Sequence, residues 1–448
     1  MGDGIRVESV SLANQEIIVA TLGEDSKRIK AIVEQCLQSL LPAGMAVPGD
    51  NENWIRGGFL DSMAHVELLL CIESAIDLPG FFGRTSDSLP ATIQSAVDAV
   101  NKDLFRQAED ALSRAQKRAS ETHIGSTAGV VGWAVAFGSQ SIPAEMVEQE
   151  FGLTKGALRD RAGMEAITRV SLDEDETSLA KRAAQRALQM AGGSAQGLHW
   201  IIGTSETFLG VPSFAASLHT ALLAPSTCRV LDVGGACVGL LNCLAVADAL
   251  LAADRAESIL VATADVHSRL FVPGKVPGEF GGLFGDGASA FILRRSLETA
   301  RDPPYSILAS IGSCAGALSS VLQIRPCVDG SLSFTFDGDA LALAALDRLE
   351  RIVGDLETSS GKSRDEASAF AIHQPNPRLV EIFLRRTKLP PEKVPIIAQT
   401  RGNLGASTCG VALSIAMDDH ARKPRSERGP IFVAAVGPGM LWAGAVVE

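Results

Sequence analysis

Two periodicities divide the chain. Between residues 24 and 100 the apolar positions recur at helical spacing. In EDSKRIKAIVEQCLQSLL (24–41), Ile29, Ile32 or Val33, Cys36 and Leu40 share one face. A loop rich in Gly, Pro and Asn follows, PAGMAVPGDNENWIRGG. FLDSMAHVELLLCIESAIDLP then places Met63, Val66 and Leu70 on one helical face, and LPATIQSAVDAV (89–100) reads as a short last helix. The pattern predicts a small four-helix bundle within residues 1–105. Residues 106–122, RQAEDALSRAQKRASET, carry charge and alanine but little apolar surface. They predict a partly helical linker, roughly 25 Å long if fully helical.

From His123 the period changes, and strands alternate with helices. GVVGWAVAFG, HWIIGTSE, CRVLDVGGA, SILVATADV and GASAFILRR read as buried strands, with SLAKRAAQRALQMAG as an amphipathic helix between the first two. A second series begins at Tyr305. It runs through strand YSILASIG, helix ALALAALDRLERIVGDL, strand AFAIHQ, helix LVEIFLRRTK, helix ASTCGVALSIAMDDHA and the strand pair GPIFVAAVGPGMLWAGAVV. The pattern predicts an α/β domain at 123–448 in two similar halves, about 123–300 and 301–448, without a strict sequence repeat.

A length of 448 residues agrees with more than one unit. Charge sharpens the division. Residues 1–105 hold 15 acidic and 7 basic side chains, so this small unit supplies −8 of the chain's net −12. That sign argues against nucleic acid as a partner. Eight cysteines show no CxxC pair, and most lie in apolar runs as buried free thiols do. The N-terminus has no basic segment followed by an apolar stretch, and no run of about 20 uncharged apolar residues offers a membrane span. The expectation is a cytoplasmic protein.

Three residues carry candidate chemistry. Cys237 lies in DVGGACVGLL, where a strand runs into a buried helix among side chains of almost no size. A helix N-terminus favours thiolate, and small neighbours let a carbonyl approach. Spacing alone fits a packed core cysteine as well. His373 ends the apolar strand of AFAIHQPNP, and Asn403 sits in the glycine turn TRGNLGAS before an apolar helix. Nucleophile, imidazole and amide at strand and helix ends form a constellation for acyl chemistry. Asp286 in FGDGAS reads as a buried turn carboxylate bonding local amides.

These stretches carry a resemblance. DVGGACVGLLNCLAVADAL, FGDGASAFIL, HQPNPRLVEIF, GNLGAS and VGPGMLWAGAVV stand in the order and spacing of the thiolase-superfamily condensing enzymes, closest to ketoacyl-ACP synthase III. The resemblance covers about 123–448. It implies a thiolase-like αβαβα fold, usually homodimeric, with Cys237, His373 and Asn403 as the catalytic triad and no metal. In such chemistry the thiolate takes an acyl group from a thioester. A malonyl-type thioester loses CO₂, His373 and Asn403 donate to the enolate oxygen, and carbon attack on the acyl-Cys gives a β-ketoacyl thioester.

Three departures stand out. Where relatives that prime from acyl-CoA have a tryptophan that stacks on adenine, GALRDRAGM has Ala157, with Arg161 retained. In the primer pocket, GVPSFAAS has Val211 where a large residue is frequent. The glycine loop expected to donate to the oxyanion reads Gly437-Pro438-Gly439, and Pro438 has no N–H; plant-type polyketide synthases share that GPG. Arg378, five residues after His373, matches a basic residue expected to dock acidic carriers.

GGFLDSMAHVELLL resembles an acyl carrier protein. The resemblance implies 4′-phosphopantetheine on Ser62, attached by a phosphopantetheinyl transferase. Asp61 or Ser62 as a simple helix cap fits the same letters. The expected whole is a carrier–ketosynthase fusion using acyl and malonyl thioesters on carrier or CoA, in polyketide or fatty-acid-like secondary metabolism. Two other readings stay open: an acyltransferase acting on an oxygen or nitrogen nucleophile, and a non-catalytic subunit that positions carriers.

Overall fold

The computed structural model describes residues 29–42, 44–60, 62–75, 82, 89–100, 128–295, 305–315, 319–327 and 332–448. The linker expected at 106–122, Asp61 and the domain start at 123 lie outside them. The described residues fall into two units, one drawn from 1–123 with 337–347, the other from 124–336 with 348–448.

In the first unit, helices span residues 29–40 and 93–100 and Ser62–Ala75. Ile29, Val33 and Cys36 turn inward as the spacing predicts, while Leu37 is buried in place of the expected Leu40, which stays half-buried. The second helix is rotated from expectation. It buries Val66, Leu68, Leu69 and Ile72, while Met63 and Leu70 stay half-buried. Trp54 fills the core from the preceding loop. Buried polar groups tie segments to this helix: His65 Nε2 donates to the Pro90 carbonyl at 2.8 Å, and the Phe82 N–H donates to Glu73 at 2.8 Å. These three helices are described; a fourth, needed for the expected bundle, is not among the described residues.

The second unit holds thirteen described strands: β1 (Ala128–Phe137), β2 (Gln140–Pro143), β3 (Ala166–Arg169), β4 (Trp200–Thr204), β5 (Arg229–Asp232), β6 (Ser258–Val266), β7 (Asp286–Arg295), β8 (Tyr305–Cys314), β9 (Leu322–Pro326), β10 (Leu332–Phe336), β11 (Ala369–Ile372), β12 (Ile431–Gly437) and β13 (Leu441–Val447). Nine form one sheet in the order β11-β12-β13-β8-β1-β7-β6-β4-β5. Its two halves repeat one pattern. β1 is antiparallel to β7, β7 to β6, and β6 is parallel to β4. Likewise β8 is antiparallel to β13, β13 to β12, and β12 is parallel to β11. Among the described residues the halves are joined where Gly129 and Val130 pair with Ser306 and Tyr305. The antiparallel pairs β2–β3 and β9–β10 and the helices Ala144–Phe151 and Phe214–Leu222 lie outside the sequence pattern; each element is too short to show a period.

Helices Gly239–Ala252 and Ser407–Ala421 form a middle layer. Leu240, Leu241, Leu244 and Leu251 share one core with Cys409, Val411, Leu413 and Met417 and with residues of both half-sheets. A helix apolar on all sides suits that place. On the outer side, the alanines of Glu176–Met190 pack on β1, β6 and β7 with Leu218 and Leu222 of Phe214–Leu222.

Close approach sets residue size in the middle layer. A Cβ on Gly410 would overlap Ser289 Oγ and lie 3.3 Å from Leu240. Ser289 belongs to a buried hydroxyl chain in which Thr263 Oγ1 meets Ser289 Oγ at 2.8 Å and Ser407 Oγ at 2.7 Å. Gly410→Ala is therefore expected to destabilise the second unit by about 1–3 kcal/mol, the usual cost of overpacking. Gly197→Ala, with open space around it, serves as the control. Denaturant titration checks the pair: equal midpoints would show that the middle layer yields.

Candidate active site

The segment from β5 to the helix Gly239–Ala252 is a tight elbow. Gly235 has φ 139° and Ala236 φ 49°. The second is a left-handed conformation that costs an alanine about 1–2 kcal/mol. Cys237 follows in a single turn, Ala236–Val238, ahead of the helix, and is buried. Its small neighbours serve close packing on two sides. Gly239 passes Thr204 with no room for a Cβ, and a Cβ on Gly437 would lie 3.4 Å from both Cys237 Cβ and Cys237 N. The glycine loop expected near the nucleophile thus starts against it. Gly439 lies at φ 81°, and its carbonyl accepts from the Cys314 thiol.

His373 leaves β11 and is anchored by its N–H, which donates to the Ala434 carbonyl at 2.9 Å. Gln374 beside it is fully buried and pins the next segment. Its Oε1 accepts from Ile397 N at 2.8 Å and Ala398 N at 3.2 Å, and its Nε2 donates to the Pro395 carbonyl at 2.5 Å. That segment leads into the Asn403 turn. Asn403 N–H donates to the Leu283 carbonyl at 2.8 Å, and its own carbonyl accepts from Gly285 N at 2.9 Å. Its Oδ1 accepts from Gly405 N at 3.0 Å and from Thr408 Oγ1 at 3.4 Å. With Oδ1 committed, the amide presents its Nδ2 donors elsewhere, as enolate stabilisation requires.

A residue not singled out in the sequence stands among these three. Glu206 lies two residues past the end of β4, whereas His373 directly follows β11. Its carboxylate acts on the charge of both Cys237 and His373, and its Oε2 lies 3.9 Å from His267 Nε2. A Cβ on Gly405 would sit 2.7 Å from Asp265 Oδ2, 2.8 Å from His267 Cε1 and 3.1 Å from Glu206 Oε1. Asp265, fully buried at the end of β6, accepts Glu206 N–H at 2.6 Å and Ala406 N–H at 3.1 Å. The signal for Glu206 was only its place at a strand end, in HWIIGTSE, just past a run that burial alone explains.

Electrostatics alter the expectation of a resting thiolate. Burial, then the Glu206 and Asp265 carboxylates, push the Cys237 thiol well above its usual range. These outweigh the favourable helix end. Burial pushes His373 down to about 4, so its ring is neutral. His267 goes the other way: against burial, the neighbouring Glu206 carboxylate and the charge of Asp265 raise it to about 9. Burial and Glu206 raise Asp265 to about 7.

The remaining expected residues are spread more widely. Asp286 accepts Val170 N–H at 2.9 Å and Ser268 N–H at 3.0 Å, so it holds a turn together. Val211 is 99% exposed. Within one chain it lines no wall around Cys237, and the pocket assignment is corrected in that respect; its loop carries it outward. Ala157 and Arg161 bound a short turn of π-helix, with Arg161 exposed and donating to Thr154 Oγ1 at 2.9 Å. Arg378 N–H donates to the Ala162 carbonyl at 3.2 Å, so the segments of the two arginines adjoin. Its guanidinium pairs with Glu381 at 3.1 Å. Ser62 is the first residue of Ser62–Ala75. Among the described residues no helix is long and apolar enough to cross a membrane.

The His373 shift predicts an acid-side weakness. The unfolded chain takes up a proton near 6.5 and the folded site only near 4. Between those values the unfolded state binds more protons, so stability falls as pH falls. The full window corresponds to about 3 kcal/mol. His373→Gln, which has no such titration, is expected to flatten the loss between pH 6.5 and 4 in denaturant titrations. Parallel profiles for the two proteins would refute a buried neutral ring.

The chain is similar to known proteins. The family model for 3-oxoacyl-[acyl-carrier-protein (ACP)] synthase III matches residues 231–310, and the model for its C-terminal region matches 358–448. A beta-ketoacyl-[acyl-carrier-protein] synthase III from Ruegeria sp. is 30% identical over 298 residues, covering 65% of this chain and 88% of that protein. Its counterpart from Granulibacter bethesdensis is 29% identical over 299 residues, covering 65% and 89%. The crystal structure of 3-oxoacyl-[acyl-carrier-protein] synthase III from Aquifex aeolicus has a TM-score of 0.63 at 24% identity, over 72% of this chain and 99% of its own. Xanthomonas campestris OleA with bound lauric acid and lauroyl-CoA gives 0.64 at 20%, over 72% and 99%. The fold is thiolase-like, and from β1 to β13 the chain belongs to the beta-ketoacyl-ACP synthase III family of condensing enzymes.

Proposed function

We propose that the protein is a carrier–ketosynthase fusion that makes a carbon–carbon bond by decarboxylative Claisen condensation. What supports this reading is Glu206, which acts on the charge of both Cys237 and His373 and lies beside the turn that carries Asn403, where a Cβ on Gly405 would sit 3.1 Å from its Oε1. Cys237 accepts the acyl group. His373 and the Asn403 amide donate to the enolate oxygen of a malonyl-type thioester after CO₂ leaves. With Oδ1 held by Gly405 and Thr408, Asn403 suits that neutral donor role better than it would suit proton abstraction from an alcohol or amine. Pro438 supplies no N–H, so the acyl oxyanion must rely on other donors, the Cys237 N–H among them.

The first unit is the proposed carrier. Ser62 opens a helix, and the loop before it is exposed at residues 55–58; both fit a site that a modifying enzyme must reach. Bound there, 4′-phosphopantetheine would supply the thiol that holds substrate as a thioester. A net charge of −8 over residues 1–105 suits docking on basic residues, for which Arg161 and Arg378 are the candidates. Ala157 offers no aromatic face to adenine, so carrier-bound primers are favoured over free CoA. Secondary metabolism of the polyketide or fatty-acid-like kind is the proposed setting, with a homodimer as the working assembly.

Cys237→Ala is expected to abolish acyl loading of the synthase unit. Asn403→Ala is expected to load but to decarboxylate a malonyl thioester about 100-fold more slowly, the scale of a lost oxyanion donor. Intact mass and CO₂ release measure the two steps. If Asn403→Ala condensed normally but lost transfer to an alcohol or amine, acyl transfer would replace condensation as the function. Separately, CoA and a broad-specificity phosphopantetheinyl transferase should add one phosphopantetheine to the wild-type chain and none to Ser62→Ala. An unchanged wild-type mass would remove the carrier reading and leave the condensation reading standing.

A further inference from the structure

Two cysteines of the first unit lie sulfur to sulfur. Cys36 sits on the helix at residues 29–40 and Cys71 on Ser62–Ala75, and the Cys71 thiol donates to Cys36 Sγ at 2.8 Å. A disulfide bond is about 2.05 Å long, so closure asks the two sulfurs to approach by less than about 1 Å. Among the described residues, Cys228, Cys314 and Cys409 instead donate to the backbone carbonyls of Arg229, Gly439 and Ala434, at 3.6, 3.3 and 3.3 Å.

The packing around the pair holds the two sulfurs together. Val33 and Leu37 flank Cys36, Leu68 and Ile72 flank Cys71, and these four residues are fully buried in one core that both cysteines join. The two sulfurs differ in access. Cys36 is buried and Cys71 half-buried, so a small oxidant arriving from solvent meets Cys71 first. Burial, then the hydrogen bond with Cys71, pushes the Cys36 thiol above its usual range. Cys36 therefore keeps its proton until an oxidised sulfur stands beside it.

We propose that Cys36 and Cys71 form a redox-responsive modification site, which a peroxide closes into a disulfide between the two helices. In the first step the Cys71 sulfur attacks one peroxide oxygen. The S–O bond forms, the O–O bond breaks, and the departing hydroxide leaves as water with the Cys71 thiol proton. In the second step Cys36 Sγ attacks the sulfenic sulfur of Cys71. The S–S bond forms, the S–O bond breaks, and the second hydroxide leaves as water with the Cys36 proton. The two sulfurs together lose two electrons, which the peroxide oxygens gain. An external dithiol reopens the bond by thiol–disulfide exchange. The bond ties together residues 35 apart in the chain, around a segment that holds Trp54 and Ser62. It restrains opening of the first unit's core, whether or not Ser62 carries pantetheine.

The test treats the full-length protein with hydrogen peroxide, caps the remaining thiols with N-ethylmaleimide in denaturant, and digests the chain with trypsin. Cleavage after Lys30, Arg56 and Arg84 puts the two cysteines on separate peptides, 31–56 and 57–84. Both cysteines are expected to lose maleimide label together, and the two peptides to run as a linked pair that dithiothreitol separates. In Cys36→Ser, Cys71 is expected to stop as a sulfenic acid and to capture dimedone. In Cys71→Ser, Cys36 is expected to keep its label. Hydrogen exchange in residues 29–40 and in Ser62–Ala75 is expected to slow on oxidation of the wild type, with no such slowing in Cys71→Ser. A wild-type protein that keeps both labels under peroxide, or that links either cysteine mainly to a different one, overturns the proposal. Loss of the Cys36 label in Cys71→Ser also overturns it, because Cys36 would then react without its partner. A linked protein whose exchange is unchanged overturns the restraint on the core.

Discussion

The buried carboxylate of Asp265 is the constraint on which the site depends. A carboxyl group at the end of β6, with no exposed surface, must find donors within the protein. The donors it finds are the amides of Glu206 and Ala406. One belongs to the first half of the fold and follows β4. The other belongs to the second half and follows the Asn403 turn. Satisfying a single carboxylate therefore brings the loops of both halves to one point. Gln374 applies the same logic beside His373, its amide binding three backbone groups at 395–398. Neither residue needs to touch substrate to decide where the reacting groups stand.

Desolvation then sets the chemistry. The same burial makes the cysteine a thiol, the His373 ring neutral and the Asp265 carboxyl reluctant to ionise. A neutral imidazole is a hydrogen-bond donor without a net charge. The Cys237 thiol keeps its proton in the same low-dielectric space. His267 is the counterweight, a buried cation between two carboxylates. The site combines one protonated ring and one neutral ring close to the same acids, because only one of them is bracketed by negative charge.

The internal repeat explains how such different parts meet. β4 and β11 occupy equivalent places in the two half-sheets, and their ends carry Glu206 and His373. Helices Gly239–Ala252 and Ser407–Ala421 pack together in the middle layer, and the turns before them carry Cys237 and Asn403. Corresponding regions of the two halves thus carry different side chains: an acid and an imidazole, a thiol and an amide. The consequence in sequence is small residues where the layers touch, Gly239 against Thr204 and Gly410 against Ser289.

Much of this was legible in the sequence. Long apolar runs such as SILVATADV leave no face for water, so strand β6 could be placed to the residue. The helical phase of residues 29–40 was legible because charges mark its outer face. Cys237, His373 and Asn403 could be found because each ends a periodic run, where function concentrates and packing ceases to explain the residue. The rotation of Ser62–Ala75 was not legible. Leu68, Leu69 and Leu70 are alike in hydropathy, and only the position of Trp54 and the rest of the core decides which of them turns inward. Glu206 was missed for a related reason. A single glutamate after a strand reads as a solvated end, and its effect on the charge of Cys237 and His373 exists only once the fold brings their segments together. Local period is a property of neighbours in the chain, whereas a pKa and an orphaned acceptor are properties of neighbours in space, and these only the tertiary structure brings together.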